Sequence, residues 1–277
     1  MSNIKALRDI LESGTCHFGP GAFDGLSARI ADAAGFSFVH ASGGAIARSI
    51  GYPDVGLITM TEMQVRLAEI AEAVNRPVIA DADTGYGNAH NAARCARAYQ
   101  AAGAVALHIE DQDFPKKCGH YADISLIPTE EMAAKVAAMK DAVGDGMLVI
   151  ARTDAVMTEG LEPALERMHR YLEAGADVAF VEGISDLATL RRINDLPAPK
   201  LINLAGASRE KLATPEELSA CGVVLALYPG EFQRAAIFAM EEVARTLLQT
   251  GSSRSVADRL ATPARRDALV ATRRYLS

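Results

Sequence analysis

Short apolar segments alternate with longer amphipathic segments along the whole chain. The amphipathic segments commonly close on a glycine, as in Ala33-Ala34-Gly35-Phe36. Glycine adopts the left-handed conformation that ends a helix at little cost. The apolar run that follows each such ending is typical of a strand buried on both faces. Eight runs predict eight strands, at residues 16–23, 38–42, 78–83, 105–111, 148–154, 178–182, 200–203 and 223–228.

The segments between these strands predict helices. Residues 61–74 and 129–143 show the helical period, with Thr61 and Thr129 as candidate N-caps and Glu62 and Glu131 in the first turn. Eight strand–helix units favour one (β/α)8 TIM-type barrel over residues 1–277, with residues 231–277 as a C-terminal helical extension that ends in a helix at 265–276. A doubly wound open sheet is the alternative, but Gly85-Tyr86-Gly87 lacks the third glycine of its dinucleotide fingerprint.

Composition narrows the function classes. The chain has 277 residues, a formal net charge of -7 and no tryptophan, and it lacks a basic run with interleaved aromatics, so nucleic acid is not an expected partner. No apolar run approaches the roughly 20 residues that span a bilayer, which predicts no membrane association. Residues 1–12 predict an amphipathic helix rather than a secretion signal, and four scattered cysteines indicate reduced thiols. We therefore expect a cytoplasmic protein.

Polar residues stand where the predicted strands end. In a barrel the carboxyl ends of all strands meet on one rim, so residues distant in sequence converge there. The residues at or just beyond these ends are Ser42, Gly43, Gly44, Asp81, Asp83, Glu110, Arg152, Glu182, Asn203 and Arg234.

Three of these residues predict a metal site. Asp81 and Asp83 are two apart on a predicted strand and should point to the same side, with Glu110 on the neighbouring strand. Like charges at that spacing repel unless a cation joins them, and carboxylate-rich oxygen sites suit Mg²⁺, with Mn²⁺ as the alternative. A purely structural role remains open, in which these acids cap helices or pair with Arg152.

Cys118 is the candidate acid. It lies in Lys116-Lys117-Cys118-Gly119-His120 on a polar loop, where neighbouring cations and a histidine favour thiolate formation. Cys16, Cys95 and Cys221 are expected to be inert packing residues. His40 and His108 lie inside apolar runs, which predicts hydrogen-bonded interior roles. No predicted strand ends in lysine, which disfavours a Schiff-base aldolase. Cleavage of a carbon–carbon bond would then need a metal and an acid.

The sequence resembles the isocitrate lyase/phosphoenolpyruvate mutase superfamily over nearly its whole length. Five motifs carry the resemblance: residues 42–44, 81–87, 108–112, 116–120 and 151–155. The Cys118 loop is similar to that of the lyase branch, which includes methylisocitrate lyase and 2,3-dimethylmalate lyase.

The resemblance implies a Mg²⁺-dependent carbon–carbon lyase that cleaves a 2-hydroxy di- or tricarboxylate to a 2-oxo acid and a carboxylate. It also implies a role for each matching residue. Asp81 and Asp83 would hold Mg²⁺, with Asp54 and Glu110 around them. Ser42, Gly43 and Gly44 would bind the 2-oxo-acid half of a small carboxylate substrate, and Gly119 would also contact the substrate. Cys118 would be the general acid, with Lys117, His120 and Arg152 as further catalytic residues. The other substrate half would bind to Glu182, Asn203 and Arg234. A homo-oligomer, either a dimer or a tetramer with exchange of the C-terminal helix, is also implied.

One segment of the chain differs from the pattern of the lyase branch. After Asn203, methylisocitrate lyases carry a threonine and an acidic residue, whereas this chain continues Leu204-Ala205-Gly206-Ala207-Ser208. An apolar segment there predicts a substituted malate, such as 2,3-dimethylmalate, rather than methylisocitrate. Two alternatives to the lyase remain: an oxaloacetate decarboxylase or hydrolase that uses the same metal site, and a non-catalytic barrel that only binds a dicarboxylate.

Overall fold

The computed structural model describes residues 2–118, 123–184, 186–204 and 213–276. Eight parallel strands form a closed barrel in chain order, with β8 paired to β1. This confirms the predicted TIM-type (β/α)8 fold, and the open sheet is wrong. The strands are β1 His17–Ala22, β2 Val39–Ala41, β3 Val78–Asp81, β4 Ala106–Glu110, β5 Leu148–Thr153, β6 Val178–Val181, β7 Lys200–Asn203 and β8 Val223–Tyr228.

Helices follow the strands and surround the barrel. Those within the described residues are α1 Asn3–Glu12, α2 Gly25–Ala34, α3 Gly43–Ser49, α4 Met60–Ala73, α5 Ala89–Ala101, α6 Thr129–Val143, α7 Ala155–Thr158, α8 Leu161–Glu173, α9 Leu187–Arg192, α10 Pro215–Ala220, α11 Glu231–Thr250 and α12 Pro263–Leu269. Short 3-10 turns lie at Gly144–Gly146, Ile193–Asp195, Arg254–Arg259 and Thr272–Tyr275.

The two predicted N-caps are wrong. Helix α4 is capped by Thr59, whose hydroxyl accepts from the Glu62 amide at 3.3 Å, while the Glu62 carboxylate accepts from the Thr59 amide at 2.8 Å. This reciprocal pair is a capping box, and Thr61 lies inside the helix. Helix α6 has Pro128 at its N-cap position, with no side-chain cap, and Thr129 is its first residue. Glu62 and Glu131 lie in the first turns, as predicted.

The hydrophobic core has two parts, and their division determines where a ligand can bind. One part fills the barrel and includes Phe38, Ile79 and Leu225, together with Leu7 and Ile10 of α1. The other part lies between the strands and the outer helices. Because apolar side chains fill the barrel interior, the polar residues at the carboxyl ends of the strands are left to form a site at the opposite rim from α1.

The C-terminal extension is not one continuous helix. Helix α11 has 20 residues and leaves large apolar side chains exposed, including Phe238 at 72% and Leu248 at 89%. The helix predicted at 265–276 is wrong in its bounds, because α12 ends at Leu269 and Ala271 takes a left-handed φ of 52°. Within the part of the chain that the structure describes, no helix has the length and apolar character needed to cross a membrane.

Candidate active site

A cavity of about 610 Å³ opens at the carboxyl ends of the strands. It brings together most of the residues predicted from the sequence. Those that line it are Ser42, Gly44, Asp54, Asp81, Glu110, Lys117, Cys118, Arg152, Glu182, Asn203 and Arg234. Gly43 and Asp83 lie directly behind this wall, beside Asp54 and Lys116. Gly119 and His120 lie outside the described residues, so their predicted roles stay predictions.

Three aspartates form an acidic cluster at one side of the cavity. Asp81 is the last residue of β3, and its carboxylate accepts the amides of Gly43 at 3.0 Å and Asp83 at 3.1 Å. The prediction that Asp81 and Asp83 share one face of a strand is wrong. Asp83 lies beyond β3 with φ of 46°, so the chain has already turned there. That turn directs the Asp83 carboxylate toward Lys116 and Asp54.

Lys116 supplies the cation of this cluster. Its ammonium lies 2.5 Å from Asp54 Oδ1 and 2.9 Å from Asp83 Oδ1, and all three side chains are buried. Arg48 Nη2 is 3.9 Å from Asp54 Oδ2 and half exposed. A buried carboxylate pair of this kind requires a positive partner, which Lys116 provides within the protein itself.

The pKa values follow from burial and from this cation. Burial raises the pKa of the Asp83 carboxyl to about 6, although Lys116 opposes the shift. Burial also disfavours ionisation of Asp81, but His108 and Lys116 outweigh it and hold the Asp81 pKa below its usual range. Burial is the largest effect on Lys116, yet the surrounding carboxylates together raise its pKa. The cluster therefore holds acids of unequal proton affinity.

Glycine is required at positions 43 and 44 because neighbouring carboxylates lie too close for a Cβ atom, and not because of the backbone conformation. A Cβ on Gly43 would lie 2.7 Å from Asp81 Oδ2, and one on Gly44 would lie 2.6 Å from Asp54 Oδ2. The Gly43 amide donates to Asp81, and the predicted role of Gly43 in substrate binding stays a prediction. The Ser42 hydroxyl accepts from the Ala45 amide at 3.4 Å as the N-cap of α3.

Arg152 forms the second charged group of the cavity. Its guanidinium makes a two-point contact with Asp154, at 3.1 Å and 2.7 Å, and lies 3.4 Å from Glu110 and 3.6 Å from Glu182. It also stands over the Phe180 ring at 5.1 Å. The sequence left open a structural role in which one of the acids pairs with Arg152, and Glu110 makes this contact. Burial is also the main reason that the pKa of Glu110 lies well above its usual range.

The two interior histidines pair with each other. His40 Nε2 and His108 Nε2 are 2.9 Å apart, which confirms the predicted hydrogen-bonded interior role. Burial lowers the pKa of His40 to about 3 and also lowers that of His108, so both rings are neutral near pH 7. Candidate ligand atoms of His40, Asp81 and His108 lie within 4.8 Å of one another, so this group too could hold a metal ion.

Comparison with known proteins places this barrel and its cavity in a family. Residues 7–248 match the family described as phosphoenolpyruvate phosphomutase. The chain belongs to this family. The superfamily resemblance stated from the motifs is thereby confirmed.

Curated relatives of this family member include two lyases and a mutase. 2,3-Dimethylmalate lyase of Eubacterium barkeri is 39% identical over 95% of this chain and 92% of the relative. 2-Methylisocitrate lyase of Aeropyrum pernix is 38% identical over 92% and 83%. Carboxyvinyl-carboxyphosphonate phosphorylmutase of Arabidopsis thaliana is 42% identical over 88% and 74%. The predicted class, a carbon–carbon lyase, is confirmed by the lyases among these relatives.

Solved structures of the family share the whole barrel. A 2,3-dimethylmalate lyase superposes with a TM-score of 0.92 at 33% identity, covering 100% of this chain and 94% of that one. An oxaloacetate acetylhydrolase superposes with a TM-score of 0.91 at 30% identity, covering 99% and 95%. A phosphonopyruvate hydrolase complex with oxalate and Mg²⁺ superposes with a TM-score of 0.89 at 30% identity, covering 99% and 97%.

Lys116 is the main residue of this family member's site that the sequence analysis missed. We singled out Lys117, yet the Lys117 ammonium donates to the Asp123 carbonyl at 2.9 Å, while Lys116 reaches the carboxylates. Two adjacent lysines give no sequence signal for which one turns inward. Gln233 of α11 was also missed. It is buried in the cavity wall and its side chain donates to the Ala45 carbonyl at 2.6 Å.

Proposed function

We propose that the chain is a Mg²⁺-dependent carbon–carbon lyase that cleaves a 2-hydroxy di- or tricarboxylate to a 2-oxo acid and a carboxylate. The observation that carries this proposal is one cavity lined by an acidic cluster, by Arg152 and by Cys118. Each group matches one requirement of the reaction: a cation site, a carboxylate partner and a proton donor.

The residues of the acidic cluster fit a hard divalent cation. Asp54, Asp81 and Asp83 offer carboxylate oxygens, which Mg²⁺ and Mn²⁺ prefer, and Glu110 Oε1 is buried without a hydrogen-bond partner among the described residues. Mg²⁺ bound there would stabilise negative charge on the substrate oxygens. The Mg²⁺ in the phosphonopyruvate hydrolase complex supports this choice of metal.

Arg152 would bind and orient the substrate carboxylate. Its planar guanidinium suits a carboxylate in a two-point contact, and Asp154 already holds it in place by such a contact. Because Asp154 and Phe180 fix the guanidinium, little side-chain freedom is lost when substrate binds. This preorganisation is the contribution we assign to Arg152.

Cys118 would supply the proton that completes cleavage. A carboxylate of the cavity would take the proton of the 2-hydroxyl group, which becomes the carbonyl of the 2-oxo acid as the C2–C3 bond breaks. The electron pair of that bond passes to C3, which bears the departing carboxylate, and the thiol of Cys118 protonates C3. Cys118 lines the cavity, whereas Cys16 and Cys95 lie outside its lining.

The other substrate half would lie against Asn203, Glu182 and Arg234, which line the cavity. Asn203 Nδ2 donates to Glu182 Oε2 at 2.6 Å, and Leu204 is buried immediately after β7. Residues 205–212, which include Ala205, Ala207 and Ser208, lie outside the described residues. We keep the proposal of a substituted malate, which rests on the apolar residues that the sequence places after Asn203, because apolar surroundings favour a methyl group over a third carboxylate.

The test is turnover of 2,3-dimethylmalate and of methylisocitrate by one preparation in Mg²⁺, with products identified. We expect a 2-oxo acid plus a carboxylate, with kcat/KM higher for dimethylmalate. Cys118→Ala should lower kcat by roughly two to four orders of magnitude with a smaller change in KM. Cys221→Ala is the matched control, since it removes a buried thiol away from the cavity. A tenfold or larger preference for methylisocitrate would refute the substrate assignment.

A second candidate function is oxaloacetate hydrolysis or decarboxylation at the same site. The likeness to an oxaloacetate acetylhydrolase structure supports it. The two functions differ in their products, since hydrolysis yields acetate and oxalate and decarboxylation yields CO₂. If oxaloacetate yielded acetate and oxalate, or CO₂, while the 2-hydroxy acids remained intact, the lyase proposal would be wrong.

A further inference from the structure

The segment that carries Cys118 leaves the barrel through a short antiparallel neck. Gln112 forms an isolated bridge with Leu126, and the Asp113 amide donates to the Ser125 carbonyl at 2.8 Å. The Ile127 amide donates to the Asp111 carbonyl at 2.9 Å. These contacts join the two ends of the segment directly beyond β4, so its base is fixed to the barrel.

Within this neck, the side chain of Gln112 binds both sides of a single residue. Its Oε1 accepts from the Lys117 amide at 2.9 Å, and its Nε2 donates to the Lys117 carbonyl at 3.0 Å. Gln112 is 2% exposed, so water competes little for these bonds. The carbonyl of Lys117 belongs to the peptide group that also contains the Cys118 nitrogen, so the contact fixes the backbone immediately before the thiol.

An uncharged carboxamide suits this contact. It carries a donor and an acceptor on one planar group, whereas a carboxylate offers acceptors alone and an ammonium offers donors alone. Asparagine has the same chemistry on a side chain one methylene shorter. Gln112 is therefore matched to the Lys117 backbone both in length and in polarity.

Asp111, the residue before Gln112, ties the neck to the barrel. The Asp111 carboxylate accepts from the Thr153 hydroxyl at 2.7 Å, from the Tyr171 hydroxyl at 2.8 Å and from the Asp154 amide at 3.0 Å. Asp111 is fully buried, and these partners belong to β5, α8 and the residue that holds Arg152. The hydrogen bonds of Asp111 and Gln112 thus connect the barrel to the backbone next to Cys118.

We propose that Gln112 is a positioning residue that aligns Cys118 for proton transfer. This inference rests on the proposed function, which makes Cys118 the general acid. Proton transfer needs heavy atoms within hydrogen-bond reach, and misplacement of a catalytic group by about 1 Å can cost roughly 100-fold in rate. Loss of the Gln112 contact should therefore lower kcat, whereas KM should change little because Arg152 and the acidic cluster remain.

The experiment compares Gln112→Ala, Gln112→Glu and Gln112→Asn with the wild type. Gln112→Glu keeps size and shape but replaces the donor to the Lys117 carbonyl with an acceptor. Gln100→Ala is the matched control, because Gln100 is a half-buried glutamine on α5, remote from the cavity. We expect kcat to fall by roughly 10- to 100-fold in the Ala and Glu variants, with KM within about threefold of wild type.

A second readout does not depend on turnover. The alkylation rate of the Cys118 thiol by iodoacetamide, mapped by mass spectrometry, reports its position and surroundings directly. We expect this rate to change by about tenfold or more in Gln112→Ala and Gln112→Glu and to stay constant in Gln100→Ala. Thermal unfolding of every variant shows whether the fold is retained.

The outcomes separate the two proposals. If the Gln112 variants are folded and both kcat and Cys118 alkylation match the wild type, the positioning role is overturned. A fall in kcat with a parallel rise in KM and unchanged alkylation would also overturn it, because the effect would then lie in substrate binding. If Cys118→Ala keeps its kcat, the proposed function fails by itself, and the alkylation rates still report whether Gln112 positions the thiol.

Discussion

Replacing Gly43 with alanine should damage the metal site while leaving the fold intact. An ideal Cβ at this position would stand 2.7 Å from Asp81 Oδ2 and 2.9 Å from Asp81 Cγ, against 3.4 Å for ordinary contact. The Asp81 carboxylate must therefore move by about 0.7 Å to restore an ordinary contact. That movement breaks the 3.0 Å bond from the Gly43 amide.

The expected magnitude follows from that bond. A hydrogen bond to a charged group contributes about 1.5–3 kcal/mol, and each 1.4 kcal/mol is about tenfold in affinity. The Mg²⁺ or Mn²⁺ affinity of Gly43→Ala should thus fall roughly 10- to 100-fold. Gly43 begins α3 and has no left-handed φ, so alanine gains about 0.5–1 kcal/mol of helix stability there. Stability to unfolding should therefore change little.

Gly25→Ala is a matched control for this experiment. Gly25 is likewise the first residue of a helix, α2, but its Cβ would meet only the Glu69 carbonyl at 3.6 Å and the Ala73 side chain at 3.7 Å. Isothermal titration with Mn²⁺ measures affinity, and urea unfolding measures stability. If Gly43→Ala bound the metal as tightly as Gly25→Ala, the contact between Gly43 and Asp81 would have no part in the metal site.

Three further predictions concern the acids, Arg152 and assembly. Burial raises the Asp83 pKa to about 6, and metal binding needs the ionised carboxylate. The Mn²⁺ affinity should therefore be full above pH 7 and fall by up to about tenfold for each pH unit below 6. Titrations at constant ionic strength that show no such fall would contradict this prediction. Asp154→Asn removes the charged partner that fixes the Arg152 guanidinium, so KM should rise roughly tenfold with less change in kcat in steady-state assays. The exposed Phe238 and Leu248 of α11 support our proposal of a homo-oligomer with exchanged C-terminal helices. The double variant Phe238→Glu, Leu248→Glu should shift the mass measured by sedimentation toward the monomer. A wild-type protein that is monomeric at micromolar concentration would refute the proposal.

The strands were the most predictable part of the fold. The runs at 200–203 and 223–228 coincide with β7 and β8, and β8 is apolar throughout and bounded by Gly222 and Pro229. The run at 38–42 extends past both ends of β2, since burial continues into α3 after the strand pairing stops at Ala41. Hydrophobicity reports burial, and strand ends depend on pairing, which the pattern does not record.

The identities of the site residues were also predictable, but their contacts were not. Parallel strands bring their carboxyl ends to one rim whatever the loops do, so Asp81, Glu110 and Arg152 could be placed together from order alone. The inward turn of Lys116, the left-handed φ of Asp83 and the use of the Gly43 amide by Asp81 depend on loop conformation. Loops are governed by local backbone geometry, for which the hydrophobic pattern carries no information.

The shared barrel explains why relatives of one family carry out lyase, mutase and hydrolase reactions. A fold fixes where a site lies, and the side chains placed on it decide the chemistry. In this chain β3, β4 and β5 supply the acids and Arg152, which any 2-oxo-acid reaction of this kind needs to hold charge.

The reaction itself must then be selected by the loops. In the proposed function, Cys118, which follows β4 on its loop, protonates the carbanion. The residues after Asn203, together with Arg234 of α11, would then determine which group leaves. Arg234 and Ile237 line the cavity from the helix whose outer face exposes Phe238. We propose that a second copy buries that face and holds α11 against the cavity, which would couple assembly to substrate choice through one helix.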